Sequence, residues 1–241
     1  MKRTTKLLAI LALVLAPMAM TSCDDEPGPW DQPHQWQWYD DYNGYHWNNN
    51  YNNEYNSQDQ TLLQEAQTLC GEWEGTMKYT YTDDQTSQRV TDEYYTNMKF
   101  FQYNSYSSSL TGEGVEVDYL PSDPTQSQTL DFSWAVDEKT GDIYIKYKRS
   151  GTTFVMDADS KDHGFLLGLE NNNSTNDVFF GWMIGTSNVD DVIYIDLERV
   201  NTNAKGALGV STSVVAQKPF GCYARSVANQ PTTTVKRVHK Q

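Results

Sequence analysis

The chain has 241 residues, is 38% hydrophobic, and sets 18 lysines and arginines against 32 aspartates and glutamates, for a formal charge of −14. That length suits one large domain or two small ones, and the low apolar content leaves much of the chain outside any core. The acidic excess argues against nucleic acid as a partner, because a phosphate backbone is bound by clustered cations.

At the N-terminus Lys2, Arg3 and Lys6 precede an apolar run over residues 7–15, and Met20, Thr21 and Ser22 lead into Cys23. That is the order of a secretory signal, and the run is too short for a permanent span of about 20 residues. The ending resembles the lipobox of bacterial lipoproteins. The resemblance implies removal of residues 1–22, acylation of Cys23 with palmitate-type chains, and a membrane contact made through lipid. All 32 acids follow Cys23, so losing three cations with the signal takes the charge from −14 to −17. Asp24, Asp25 and Glu26 come next. They resemble the acidic export signal that sends Bacteroidetes lipoproteins to the outer face of the outer membrane, which makes the cell exterior the expected location.

Residues 23–58 interleave Pro, Gln, Asn and Asp with Trp30, Trp36, Trp38, Tyr39, Tyr42, Tyr45, Trp47, Tyr51 and Tyr55. Aliphatic residues are absent and no period orders the aromatics, so the segment reads as a disordered tether. Its other reading is a sticky segment whose Trp and Tyr faces stack on glycan rings.

The folded body is expected over residues 59–200. Ser57, Gln58 and Asp59 precede a helix through 61–69 with Leu62, Leu63, Ala66 and Leu69 on one face. In the next stretch Trp73, Met77, Tyr79 and Tyr81 share one parity with Gly75, and Glu72, Glu74, Thr76, Lys78 and Thr80 share the other, the pattern of a half-buried strand. Eight more strands are expected at about 93–103, 108–119, 129–136, 142–148, 152–157, 165–170, 178–184 and 192–200, separated by Gly, Asn and Asp turns. The fold class is all-β: an antiparallel meander of about 8–9 strands, closed into a barrel with a short helix before the first strand. Arg199 ends the inward series Ile193, Ile195 and Leu197, where an unpartnered guanidinium would be costly. If first and last strands adjoin, Trp73 can take it in a cation–π contact; otherwise Arg199 reaches out to the rim.

The helix, Gly71-x-Trp73, the meander and the basic residue on the last strand together resemble the lipocalin superfamily, and in particular the lipocalin-like, calycin-type barrels of Bacteroidetes surface lipoproteins. Gly112-Glu113-Gly114 and the Phe132-Ser133-Trp134 strand are similar to that family too. The resemblance covers about residues 62–200 and implies a barrel able to enclose a small ligand.

Residues 201–241 form a basic tail, expected to be largely disordered, with Lys205, Lys218, Arg225, Lys236, Arg237 and Lys240 and no acid after Asn203. With Cys23 acylated, Cys70 and Cys222 are the remaining thiols of an exported chain. Either they form a disulfide that returns the tail to the barrel, or Cys70 is a thiol buried under the helix.

No catalytic constellation is legible: of the four histidines only His163 lies in the body, and the 157–168 stretch departs from a calcium loop at Lys161 and Gly168. No cofactor and no metal are expected, and the oligomeric state is open. Two functions stay in view. One is a non-enzymatic surface lipoprotein that binds a small apolar or aromatic ligand, or a glycan, with Trp73, Tyr79, Tyr81, Phe132, Trp134 and Tyr147 lining the interior. The other is a structural or interaction protein whose aromatics fill the barrel, leaving recognition to tether and loops.

Overall fold

The computed structural model describes residues 45–103, 108–170, 176–200 and 219–224. Asp59 caps the helix α1 (Gln60–Leu69), its carboxylate accepting the N–H groups of Thr61 and Leu62, which have no partner within the first turn. Leu63, Ala66 and Leu69 are buried on one face of α1, which packs against strands of the sheet that follows. It is the one α-helix among the described residues, and it precedes the first strand rather than opening the chain.

Nine strands follow: β1 (Gly71–Thr82), β2 (Arg89–Gln102), β3 (Thr111–Leu120), β4 (Asp123–Val136), β5 (Ile143–Tyr147), β6 (Thr153–Met156), β7 (Phe165–Gly168), β8 (Val178–Gly185) and β9 (Val192–Arg199). The hydrogen-bonded order is β6-β5-β4-β3-β2-β1-β9-β8-β7, with a further pairing of β6 to β8. First and last strands pair antiparallel from Trp73 opposite Arg199 to Thr80 opposite Val192. Phe154 and Val155 of β6 meet Gly185 and Ile184 of β8, which closes eight strands into a barrel. The ninth, β7, takes the other half of the same β8 edge, with Phe165 opposite Gly181 and Gly168 opposite Val178.

The strand bounds differ most from expectation at β2 and β4, which begin at Arg89 and Asp123 instead of near 93 and 129. Their added residues are mainly exposed. Hairpin arms in water carry ladder hydrogen bonds without the apolar alternation that marks a strand in sequence.

Period-two alternation sends Trp73, Met77, Met98, Phe100, Phe132, Trp134, Ile143, Ile145, Phe154, Phe179, Met183, Ile195 and Leu197 into one continuous core. The inner face of β3 gives this core room. A side chain at Gly114 would put its Cβ 2.2 Å from the Phe132 ring, and one at Gly112 would put its Cβ 2.6 Å from Trp134 Nε1. The two rings therefore lie directly over the β3 backbone, and the Trp134 indole N–H donates to the carbonyls of Phe101 and Glu113.

Residues 45–58, expected within a disordered tether, pack on the outside of the barrel. A short 3-10 helix (Asn49–Asn52) buries Tyr51 against Tyr144 at 5.8 Å, and the Tyr51 hydroxyl donates to Asp137. Lys146 lies 5.4 Å over the Trp47 ring. Asn56 bridges Ser109, and Leu110 N–H donates to Tyr55 carbonyl at 2.7 Å. Aromatic residues without a period of their own are thus ordered by an outward-facing tyrosine on β5. In the tail, residues 219–224 are likewise placed: Phe220 exchanges two backbone hydrogen bonds with Leu167 and so covers the open edge of β7.

Candidate functional site

The end of the barrel under α1 is built around Trp73 and Arg199. Their side chains share the interior face at opposed positions of β1 and β9, with the guanidinium carbon 4.1 Å from the centre of the indole. The same guanidinium donates through Nε to Asp177 at 2.9 Å, through Nη1 to the Cys70 carbonyl at 2.8 Å, and through Nη2 to the Thr68 carbonyl. Trp73 Nε1 donates to the Leu69 carbonyl at 2.8 Å. The last carbonyls of a helix have no partner within it, and here two residues of the barrel supply the donors for three of them. The Gly71-x-Trp73 spacing follows from this packing. Gly71 has φ of +122°, and a Cβ there would stand 2.7 Å from Arg199 Nη1. Asp177, the ionic partner of Arg199, carries no signal in the sequence because it lies in a connection rather than on a patterned strand.

The residues expected to line a ligand cavity divide into two groups. Phe132, Trp134 and Tyr147 are buried in the core: Phe132 packs on Phe100 and Tyr147, Trp134 on Phe100, and Tyr147 also on Phe154, at ring separations of 5.0 to 6.3 Å. Tyr79 and Tyr81 are half-buried and stack at 4.8 Å at the opposite end from α1. There they join Tyr94 and Asp92, the Asp92 carboxylate accepting from Tyr81 at 3.1 Å and from Tyr94 at 3.4 Å.

Below this rim lies a feature that the alternation of β3 contains but composition conceals. Glu116 and Asp118, two residues apart, both face inward and are 1% and 3% exposed. Tyr147 donates to Glu116 at 2.6 Å and Gln128 donates to Asp118 at 2.9 Å. Asp118 also interacts with the Thr96 hydroxyl and with the Glu116 carboxyl itself. Burial, and after it the Asp118 charge, holds the Glu116 carboxyl well above the usual range, and burial also raises Asp118. A third buried carboxyl, Glu65 on α1, is pushed up to about 8 by burial and by the charge of Asp142. In sequence all three pass for solvating charge.

Cys70 and Cys222 are both free, so of the two readings of these thiols the structure shows the buried Cys70 and not the disulfide. Cys70 ends α1 and is buried in the core, and burial pushes its thiol up to about 12. The tail returns to the barrel, but along β7. That puts Cys222 at the surface, its thiol donating to the Ala158 carbonyl at 2.9 Å, while Tyr223 packs on Phe180 with ring centres 5.8 Å apart. Cys23 lies outside the described residues.

On the outer wall, the solvent-facing residues of β1, β2 and β3 enclose a groove of about 480 Å³, lined by Glu72, Glu74, Tyr95, Asn97, Lys99, Val115, Val117 and Tyr119. Its floor is apolar and aromatic, with Tyr95 37% exposed. Its polar edge is pre-arranged: Asn97 donates to Glu72 at 3.0 Å, and Lys99 lies 3.3 Å from the same carboxylate.

The class of protein that this architecture defines is a closed eight-stranded antiparallel barrel with one appended strand, compatible with a calycin-like fold. Comparison with protein families, with curated proteins and with solved structures finds no match in any of the three.

Proposed function

We propose that this chain is a lipocalin-like surface lipoprotein of the Bacteroidetes type, held to the outer membrane through acylated Cys23, and that it acts as a non-enzymatic binding module for neutral glycans. The outer groove of β1–β3 carries the reading. Its volume of about 480 Å³ falls within the range of small-ligand sites. A sugar ring offers an apolar C–H face and an equatorial belt of hydroxyls. Tyr95 and Tyr119 match the first, and Glu72, Glu74 and Asn97 match the second. The aromatic side chains that would line an internal site are instead packed against one another, which favours recognition on the wall over recognition in the core.

Titration of the chain with neutral oligosaccharides by calorimetry tests the groove. Binding to wild type that is lost on Tyr95→Ala is the expected result. Binding unchanged in that variant, or none to the folded wild type, discards the glycan reading. The anchor is tested separately by expressing Cys23→Ala in a bacterial host, which should move the protein from the membrane fraction to the soluble one.

A further inference from the structure

The mouth of the barrel, away from α1, holds ionisable groups that no part of the glycan reading uses. Glu116 and Asp118 stand at successive inward positions of β3, opposite Met98 and Thr96 on β2 and Leu130 and Gln128 on β4. Two carboxylates so close on one face and out of water cannot both ionise without a counter-charge. Among the described residues no lysine or arginine forms an ion pair with either. The groups that surround them repeat the same sign or are neutral. β1 presents Tyr79 and Tyr81, β2 presents Asp92 and Tyr94, β5 presents Tyr147, and Asp191 lies before β9. Arg89, on the same rim, is 3.4 Å from Asp190 and acts on Asp191 instead.

We propose that Glu116 and Asp118 form a proton-controlled latch on the barrel mouth: while the pair keeps a proton the surrounding strands stay closed, and when the last proton leaves to solvent, water enters and β3 loosens from β2 and β4. Three features of the mouth support the latch. Asp118 interacts with the Thr96 hydroxyl directly across from it and with the Glu116 carboxyl, so a proton retained by the pair is held between neighbours of this layer while it is closed. The residues above it, Tyr79, Tyr81 and Tyr94, are only half-buried, so water has a short path in. The next two inward positions of β3 are Gly114 and Gly112, so this part of the strand contributes no side chain of its own to the core.

The sign follows from linkage. Both carboxyls are raised above their unfolded values, so the folded state holds the extra proton. Their contribution is complete below the ordinary carboxylate range and is lost as pH rises through the folded-state values.

Hydrogen exchange of backbone amides on the full chain, corrected for the intrinsic effect of pH, reads the latch directly. Between about pH 5 and pH 9, exchange in β3 should rise by roughly tenfold per pH unit across the window in which the pair gives up its last proton. The rise should vanish in the E116Q/D118N double variant and persist in Glu65→Gln, whose carboxyl sits at the other end. A flat β3 profile in wild type, or the same rise in the double variant, overturns the proposal. If the double variant does not fold, the side-chain carboxyl resonances of Glu116 and Asp118 in wild type decide it. Titration of at least one above the ordinary carboxylate range supports the latch, and titration of both within that range overturns it.

Discussion

The two ends of the barrel handle buried charge in opposite ways. At the α1 end, Arg199 has an anion, an aromatic face and two helix carbonyls arranged around it, and its side chain remains 22% exposed. At the mouth, Glu116 and Asp118 have a tyrosine and an amide but no cation. The first arrangement surrounds a partly buried cation with acceptors and an aromatic face that offset its desolvation. The second lets its groups be buried only by giving them protons. The carboxyls at the mouth are therefore expected to make that end sensitive to pH.

The largest effect should come from breaking the paired end. Arg199→Ala leaves Asp177 without its cation, Trp73 without its cap and two helix carbonyls without donors. Loss of one partner of a fully buried pair costs 3–5 kcal/mol, and partial exposure here brings the expectation down to about 2–3 kcal/mol. The urea midpoint of the variant against wild type checks it. Arg199→Lys should recover little, because an ammonium cannot serve Asp177 and two carbonyls in the same fork.

Glu65 sharpens the comparison, since it lies at the α1 end yet is unpaired like the mouth: it is 3% exposed and its Oε1 has no partner. If pairing and not location decides, Glu65 must behave as the mouth does. Its folded value of about 8 exceeds the unfolded one, so its contribution is present at acid pH and is lost as pH rises toward and through 8. Glu65→Gln should match wild type near pH 4 and exceed it near pH 9 by something on the order of 2 kcal/mol. Denaturation measured at both values gives the answer, and a variant no more stable than wild type in alkali rejects it.

The smallest effect belongs outside the barrel. Tyr51→Phe removes the hydroxyl bonded to Asp137 but keeps the ring on Tyr144, which should cost about 1 kcal/mol. Asp137 is held below the usual carboxylate range by its hydrogen bonds from Tyr51 and the turn, against the opposing pull of burial, so it should titrate closer to ordinary in the variant. Carboxyl NMR on the two proteins compares them.

Much of the fold was legible in the sequence because it depends on period and punctuation. The inward series of β1, β4, β5 and β9, the Gly and Asn turns, and the Asp59 cap are local signals, and they place nine strands and one helix near their observed bounds. The pairing of Trp73 with Arg199 followed from one further premise, closure of the sheet, because closure makes first and last strands neighbours. The outer groove was not legible, since Tyr95, Val117 and Tyr119 come from two strands and look like ordinary solvent-side residues until register sets them side by side. Nor was the order of residues 45–58: their aromatics have no periodicity of their own and gain partners in Asp137, Tyr144 and Lys146, some ninety residues on.

The charged residues draw the final division. By itself the sequence determined which faces of the strands are apolar and that Arg199 would need company, because alternation and the cost of a bare guanidinium are local facts. Only the tertiary structure decided that Glu116, Asp118 and Glu65 are inside without cations, that Asp177 is the counter-ion of Arg199, and that Cys70 and Cys222 remain apart. A carboxylate or a thiol has the same letter in water and in a core, and its charge state and partner depend on which strands pass beside it.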